Sequence, residues 1–296
     1  MPRWLLWSWV LLASVAGADD GPPRQEVRYP AMESAQDQRD SYPLALLQLA
    51  LDKSSDEFGD YELTPAPDHA TATRALMELR PGGSLDVLWT MTTAEREAMA
   101  RPIRIPIHKG LLGYRLLVVR SEDAPWFAAA NDLTPLRTVL AGLGHDWPDR
   151  EIFDANQLPA LPVGNYEALF YMLQQGRFDY LSRGMLEAWA ELDHRRELDL
   201  KVADRLLLYF RVANYFFVDP SDERLAQRIE LGLEQALADG SFDELFYNYP
   251  EHQQAFALTR AAERQLLQLD NPLLPTMPVE RPELWYYPER QPLPAP

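Results

Sequence analysis

The sequence predicts an α/β fold with mainly parallel sheets, and three observations lead to that prediction. Segments typical of strands alternate with segments typical of helices between residues 24 and 270, as in parallel sheets flanked by helices. The alternation runs twice along the chain, with too many elements for one small sheet. A length of 296 residues is also enough for about two domains of ordinary size.

In the first half of the chain, the helices are predicted from apolar spacing and from stop signals. A helix opens at Asp40 or Ser41, because Leu44, Leu47 and Leu51 then share one face. A second helix covers residues 71–80 and stops at a Pro-Gly-Gly sequence. Strands are predicted at residues 26–29, 61–64, 85–89, 103–107 and 114–119.

In the second half, capping residues mark several helix ends. Asn165 is placed to cap a helix over residues 166–175. Asp219 is predicted to cap helix 220–239, and Ser241 and Glu244 have the spacing of a capping box for the helix that follows. The other predicted helices are residues 126–140, 147–156, 185–195 and 251–269. The other predicted strands are residues 140–143, 160–163, 178–181, 205–210 and 214–218.

The C-terminal segment, residues 271–296, is rich in proline. The last 25 residues hold eight of the chain's 25 prolines, which excludes a regular helix or a central strand. Apolar and aromatic residues stand between the prolines, so we expect at least residues 271–288 to lie extended over the globule.

Composition excludes several classes of function. The chain carries 45 acidic against 28 basic residues, a formal charge of −17, which disfavours nucleic acid and anionic membrane surfaces as partners. Because there is no cysteine, disulfides, cysteine-ligated metals and clusters, a thiol nucleophile and a lipidated cysteine anchor are all excluded.

The N-terminus has the pattern of a secretory signal peptide, residues 1–18. A short basic start precedes about a dozen apolar residues and an Ala-Gly-Ala cleavage site. The apolar run is short for an uncleaved membrane anchor. We therefore expect a protein that is exported to a bacterial periplasm, is not a lipoprotein and does not insert into the membrane.

No motif for catalysis, metal binding or cofactor binding is present. The five histidines are scattered, without metal-ligand spacing. The nucleophile elbow, the Walker A loop and the dinucleotide-binding glycine motif are all missing. The sequence therefore predicts no cofactor, no metal and no enzymatic activity.

Three strand ends are candidates for a ligand site. In the first, strand 85–89 runs into Thr92, Thr93 and Arg96. Hydroxyls, free amides and a guanidinium beyond a strand's carboxyl end suit a carboxylate. An ordinary helix cap followed by a surface arginine is the alternative.

The other two strand ends have similar chemistry. Ser182 and Arg183 follow strand 178–181, where a loop with a solvated arginine is again the alternative. His145 and Trp147 follow a Gly-Leu-Gly sequence, where helix amides could hold an anion and the indole could cover an apolar ligand. With Trp89 at the first strand end, these residues form the predicted ligand-binding set.

Together these segments resemble the type II periplasmic binding proteins, specifically the family-3 solute-binding proteins of ABC importers. The resemblance covers about residues 24–250. Within that family the chain resembles a divergent group of transporter substrate-binding-domain proteins. The shared phrases are LDVLWTMT and ER (residues 85–92 and 95–96), GLLGYR (110–115), GHDWPD (144–149), RFDY and RG (177–180 and 183–184), and NPLLP (271–275).

The resemblance implies roles for particular residues. The threonine and arginine that hold a solute carboxylate in the family correspond to Thr93 and Arg96, and the turn residue of the second lobe corresponds to His145. The family's ammonium-binding aspartate corresponds to Gly184, beside Arg183. We therefore expect this corner to be neutral or basic, and the solute to be an anion held by Arg96 and Arg183 rather than a free amino acid.

The resemblance also implies an architecture and a function. Lobe 1 is expected at residues 24–119 and 215–270, and lobe 2 at residues 120–214, with a ligand cleft between them that closes by hinge motion. The expected function is capture of a small carboxylate for an ABC permease or a membrane sensor, by a monomer. The alternatives are a periplasmic enzyme similar to cyclohexadienyl dehydratase, and a degenerate scaffold that binds protein.

Overall fold

The computed structural model describes residues 24–32, 39–275, 277 and 279–288. The predicted signal peptide and the last eight residues of the predicted tail lie outside these ranges. Among the residues that are described, no helix is long and apolar enough to cross a bilayer.

Strands and helices alternate along the chain, as predicted. The strands are β1 (Gln25–Tyr29), β2 (Tyr61–Pro65), β3 (Val87–Met91), β4 (Arg101–Ile103), β5 (Tyr114–Arg120), β6 (Ala141–Gly144), β7 (Ala160–Val163), β8 (Tyr180–Gly184), β9 (Leu200–Val202), β10 (Leu206–Tyr209), β11 (Asn214–Val218) and β12 (Gln265–Gln268). The α-helices are α1 (Ser41–Lys53), α2 (Ser55–Phe58), α3 (Ala72–Glu78), α4 (Ala94–Met99), α5 (Ala124–Ala129), α6 (Asp149–Ala155), α7 (Tyr166–Gln174), α8 (Ala188–Asp193), α9 (Glu223–Asp239), α10 (Ser241–Asn248) and α11 (Pro250–Thr259).

Lobe 1 is built around a three-stranded sheet in the order β3, β11, β4. β1 and β2 form a parallel pair beside it. The amide of Asp86, next to β3, donates to the carbonyl of Arg28 in β1 (2.9 Å), which joins the pair to the sheet. Helices α1 and α9 pack against each other in this lobe.

Lobe 2 is a seven-stranded sheet in the order β12, β10, β5, β8, β6, β7, with β9 also paired to β5. Strands β6, β7 and β8 alternate with α6 and α7, and their pairings are parallel, as crossover helices require. The pairings of β5, and those of β11 in lobe 1, are antiparallel. β5 is the first strand after the chain crosses from lobe 1 to lobe 2, and β11 is the first strand after it returns to lobe 1.

Apolar side chains cover both faces of the larger sheet. One core cluster extends through lobe 1 and the adjacent face of lobe 2. A second cluster, which includes Phe127, Phe153 and Phe210, fills the other face of lobe 2. This explains the continuous apolar run Leu116–Val119 within β5, since a strand covered on both faces has no solvent side to make polar there.

The chain crosses between the lobes a third time after α11, where the sequence predicted one helix over residues 251–269. That prediction is wrong beyond Thr259, because Arg260 has a φ of +45° and ends α11. The Arg264 guanidinium then donates to the carbonyls of Thr259 and Ala203, each at 2.6 Å. The next residues form β12, which pairs with β10 and so belongs to the sheet of lobe 2.

The proline-rich tail returns from β12 to lobe 1 as an extended segment. The Tyr286 amide donates to the Lys109 carbonyl (3.0 Å), and Lys109 Nζ donates to the Glu283 carbonyl (2.7 Å). Both terminal nitrogens of Arg281 bind the Glu234 carboxylate of α9, at 2.6 and 2.9 Å. β12 therefore belongs to the sheet of lobe 2, whereas residues 281–286 are held against lobe 1.

Some predicted helix ends are confirmed and others are not. Asn165 caps α7 by accepting from the Ala168 amide (2.8 Å). Asp222, rather than Asp219, caps α9. The predicted capping box is absent from the start of α10, because the Ser241 hydroxyl donates to Asp239 instead (2.7 Å).

The long helix predicted over residues 126–140 is also wrong. Only α5 and a short 3-10 turn (Pro135–Thr138) form there. Ala130 has extended backbone angles that end α5. The Asp132 carboxylate then accepts from the Thr134 amide (2.7 Å), a local turn that competes with helix.

Candidate functional site

A cavity of about 350 Å³ lies between the two lobes. Lobe 1 lines it with residues of the β3 strand end, the start of α1 and the start of β11. Lobe 2 lines it with the turn after β6 and with the segment from β8 to α8. The three strand ends singled out from the sequence therefore meet at this one place.

Arg96 is the central cation of the lobe 1 wall. Its guanidinium donates to the Thr90 hydroxyl (2.8 Å) and to the Met91 carbonyl (2.9 Å), and the residue is only 7% exposed. Thr93 starts α4 by accepting from the Arg96 amide (3.1 Å), which fixes where the arginine emerges. Within the described ranges, no carboxylate lies within ion-pair distance of Arg96. Burial lowers its pKa, although the more distant Asp146 partly offsets this.

The two predicted threonines do not line the cavity. Thr93 is the helix cap just described, and the Thr92 hydroxyl donates to Glu97 (2.6 Å) on the side of α4. Thr90 lines the cavity in their place, as does Trp89, whose indole donates to Asp40 (2.5 Å).

Across the cavity, the turn after β6 presents His145, Asp146 and Trp147. The Asp146 carbonyl accepts from Arg96 (3.2 Å), and its carboxylate accepts from the Ala72 amide at the start of α3 (3.0 Å). These two hydrogen bonds join the lobes directly. His145 and Trp147 line the cavity on either side of this contact.

Arg183 lines the cavity but is already paired with carboxylates. It is 2% exposed, and it binds Glu191 through two nitrogens, at 2.8 and 2.6 Å, and Glu187 at 3.2 Å. Trp147 lies against its guanidinium, with the ring centroid 4.6 Å from Cζ. Burial opposes the charge of Arg183, but Glu187 and Glu191 outweigh it and raise the pKa. Arg183 is therefore part of a buried ion network.

The corner predicted to be neutral or basic holds a carboxylate. Gly184 has no side chain, but a Cβ built there would lie 2.7 Å from Oε2 of Glu187. That oxygen accepts from the Gly184 amide (2.9 Å). Glu187, three positions along the chain, thus fills the space that an acidic residue at position 184 would use. Burial disfavours its charge, but Arg183 and Arg115 prevail and lower its pKa to about 2.

Ser182, the remaining predicted residue, lies outside the cavity wall. It is fully buried in β8, where it pairs in register with Leu117 of β5. Of the eight predicted residues, the cavity therefore brings together the five named next: Trp89, Arg96, His145, Trp147 and Arg183.

Several lining residues were not predicted, because they come from distant parts of the chain. Tyr42 belongs to the first turn of α1, His108 to the loop after β4, Asn214 to the start of β11, and His252 to α11. The sequence gives no spacing that would connect them. Glu187 could have been found, as the acidic residue nearest to Gly184.

Two histidines of the wall are buried and neutral. Burial lowers the pKa of His108 to about 4, against a smaller opposing effect of Glu187. Burial likewise lowers the pKa of His252 to about 3, and His252 Nδ1 contacts the Phe246 carbonyl (2.8 Å). No group of three His, Asp or Glu residues in the described part of the chain could hold a metal ion.

Comparison with solved structures identifies the architecture. An ancestral arginine-binding protein bound to arginine has a TM-score of 0.57 and 16% identity, covering 77% of this chain and 99% of its own. This is the fold of the type II periplasmic binding proteins. A histidine kinase sensor domain with similarity to periplasmic binding proteins shares it at a TM-score of 0.55 and 17% identity, over 77% of this chain and 96% of its own.

The same type II fold occurs in an ancestral amino-acid-binding protein that is a precursor of cyclohexadienyl dehydratase. That match has a TM-score of 0.54 and 16% identity, over 76% of this chain and 95% of its own. No family model matches the sequence, and no curated protein matches it.

Proposed function

We propose that this protein captures a small carboxylate between its lobes and that closure on the solute is the signal a membrane partner reads. The observation that carries this proposal is Arg96: a buried guanidinium on the wall of the interlobe cavity, with no carboxylate paired to it among the described residues. A buried cation without a partner is costly. A solute carboxylate would supply that partner through charge-assisted hydrogen bonds.

The charges around the cavity favour a solute with one carboxylate and a net negative charge. Arg183 is neutralised by Glu187 and Glu191, so a second solute carboxylate would meet ionised acids instead of a free guanidinium. Glu187 is in turn offset by Arg183 and by Arg115 (3.7 Å). An ammonium would therefore gain little at Glu187. This argues for a monocarboxylate over a dicarboxylate or a free amino acid.

We also propose that the protein acts in the periplasm as a monomer, and that its partner is an ABC permease or a membrane sensor. Solved structures with this fold include both amino-acid-binding proteins and a kinase sensor domain.

The polar wall of the cavity supports a solute over a protein ligand, since a scaffold that binds only protein would have no reason to keep buried charged groups around an internal cavity.

The same site gives little support to catalysis, and we propose that the protein is not an enzyme. A general acid or base works best with a pKa near the ambient pH. Glu187, His108 and His252 have pKa values of about 2, 4 and 3. Turnover of a prephenate-like acid by the purified protein, lost in Glu187→Gln, would reverse this conclusion and favour the dehydratase-like alternative.

Binding can be tested with a matched set of four-carbon acids: butanoate, 2-hydroxybutanoate, 2-aminobutanoate and succinate. We expect one or both of the first two to raise the melting temperature, since a ligand that binds only the folded state stabilises it. Arg96→Ala should weaken that binding by about 30-fold or more, because truncating a buried charged partner costs about 2 kcal/mol or more.

The matched control is Arg196→Ala, which removes an exposed arginine of lobe 2 that pairs with Asp193 (3.2 Å). Its affinity for each acid should equal that of the parent protein. Stabilisation by none of the four acids, or equal binding by Arg96→Ala and the parent, would contradict the proposed function.

A further inference from the structure

Arg115 and Asp149 of the cavity wall form an ion pair; among its uncharged side chains, three buried polar atoms have no hydrogen-bond partner among the described residues. They are the hydroxyl of Tyr42, Nδ1 of His108 and Oδ1 of Asn214. These residues are 3, 7 and 8% exposed. We call the three side chains the hinge floor. Buried polar groups in folded proteins are almost always paired, so three unpaired ones around one cavity indicate a missing partner.

The hinge floor lies where the chain leaves and re-enters lobe 1. His108 belongs to the segment that leads from β4 towards β5, and Asn214 is the first residue of β11 after the return from lobe 2. The Ile107 amide donates to the Asn214 carbonyl (2.9 Å), which holds the two segments together. The rings of His108 and Tyr42 are 5.3 Å apart. The rings of His108 and Tyr42 are thus adjacent, and Asn214 lines the same cavity.

Asn214, one member of the hinge floor, is also close to Arg96. Asn214 is the direct cross-strand partner of Met91. The Met91 carbonyl is itself a hydrogen-bond acceptor for the Arg96 guanidinium (2.9 Å). Facing residues of paired strands are about 5 Å apart. A solute whose carboxylate binds Arg96 therefore has its next few atoms over the hinge floor.

The chemistry of the hinge floor suits an uncharged group. The ring of His108 is neutral at physiological pH, because burial lowers its pKa to about 4. The tyrosine hydroxyl and the asparagine amide are neutral as well. Each of the three side chains can both donate and accept a hydrogen bond. A charged group would lose its hydration here and would find no charged side chain within the hinge floor itself, and an alkyl group would leave all three atoms unpaired.

We propose that the solute carries, within a few bonds of its carboxylate, an uncharged group that both donates and accepts hydrogen bonds, a hydroxyl or a carboxamide, and that the hinge floor receives it. This inference rests on the proposed function and adds the substrate class: hydroxy or carbamoyl monocarboxylates. It makes Tyr42, His108 and Asn214 the residues that determine specificity, while Arg96 supplies affinity for the carboxylate.

Calorimetric titration of the full-length chain with six four-carbon probes tests the inference. The predicted ligands are 2-hydroxybutanoate, 4-hydroxybutanoate and succinamate; their counterparts are butanoate, succinate and 4-aminobutanoate. At least one of the first three should bind about tenfold or more tightly than butanoate, the usual effect of one hydrogen bond to a buried polar group. Succinate and 4-aminobutanoate should bind no better than butanoate.

Tyr42→Phe and Asn214→Leu should each reduce the preference for the favoured probe over butanoate by about tenfold. The matched control is Tyr180→Phe, because the Tyr180 hydroxyl is also buried and unpaired but is not part of the cavity wall. Tyr42→Phe removes a single oxygen, so it carries the test if Asn214→Leu fails to fold.

Two results would overturn the inference in distinguishable ways. If the acids bind in an Arg96-dependent manner but show no preference over butanoate, the hinge floor holds only water, and the proposed function survives without it. If none of the six acids binds with dependence on Arg96, the inference and the proposed carboxylate site fail together.

Discussion

Replacing Glu191 by glutamine should strongly destabilise lobe 2. The Glu191 side chain is 6% exposed. Its carboxylate accepts from Arg183 at 2.8 and 2.6 Å and from the Tyr166 hydroxyl at 2.7 Å. Glutamine has nearly the same shape but no charge, and its amide nitrogen would face the donor groups of Arg183. The substitution therefore unbalances the network while leaving the packing almost unchanged.

The size of the effect depends on the carboxylate that remains paired with Arg183 in the variant. Removing one partner of a buried ion pair costs about 3–5 kcal/mol. Glu187 remains 3.2 Å from Arg183 and retains part of the charge balance. We therefore expect the lower end of that range, about 3 kcal/mol. For a chain of this size, that corresponds to a fall in melting temperature of about 6–12 °C.

Urea unfolding followed by tryptophan fluorescence measures this loss as a shift in the midpoint at an unchanged slope. The control is Glu197→Gln, an exposed residue of the same lobe that accepts only from Tyr171 (3.3 Å). Its free energy of unfolding should change by about 0.5 kcal/mol or less. Equal midpoints for Glu191→Gln and Glu197→Gln would refute the argument that the network stabilises the fold.

Three further predictions follow from the tail, the interlobe contact and the buried histidines. Gly110→Ala should cost about 2 kcal/mol in urea unfolding, because Gly110 has a φ of +79° and a Cβ there would lie 2.6 Å from the Trp285 ring. Asp146→Ala should increase the radius of gyration of the ligand-free protein in small-angle scattering, because it removes the acceptor for the α3 amide. Lowering the pH from 6.5 to 4 should destabilise the protein by about 3 kcal/mol for His108 alone, since the unfolded chain then binds protons that folded His108 and His252, with pKa values of about 4 and 3, do not.

Two of these predictions have a matched reference variant, and the third has an outcome that contradicts it. Gly82 has a φ of +77° with no atom within 4 Å of a built Cβ, so Gly82→Ala measures backbone strain alone and should cost less than Gly110→Ala. An unchanged radius of gyration in Asp146→Ala would show that its carboxylate does not hold the lobes together. Replacing the exposed His194 by glutamine should leave the acid sensitivity unchanged, whereas His108→Gln should reduce it.

The sequence predicted which strand ends form the candidate site. It did not predict how the charges there are paired or which other polar residues line the site. Arg96, His145 and Arg183 could be placed at one cavity because ligands of open α/β sheets bind beyond the carboxyl ends of strands, and the family resemblance implied two lobes that face one cleft. The charge state of Arg183 could not be predicted, because it depends on Glu187 and Glu191, whose positions depend on how the chain turns from β8 into α8. The hinge floor could not be predicted either, since its members are more than 60 positions apart in the chain.

Local pattern determined the α/β class, the alternation of elements and the extended proline-rich tail, because periodicity, caps and prolines act over a few residues. Tertiary structure decided the features that depend on contacts between residues far apart in the sequence. β12 replaced a predicted helix because the edge of β10 was available to pair with it. Arg183 became part of an ion network while Arg96 remained without a carboxylate, because a buried charge is controlled by the groups folded around it, wherever they lie in the sequence.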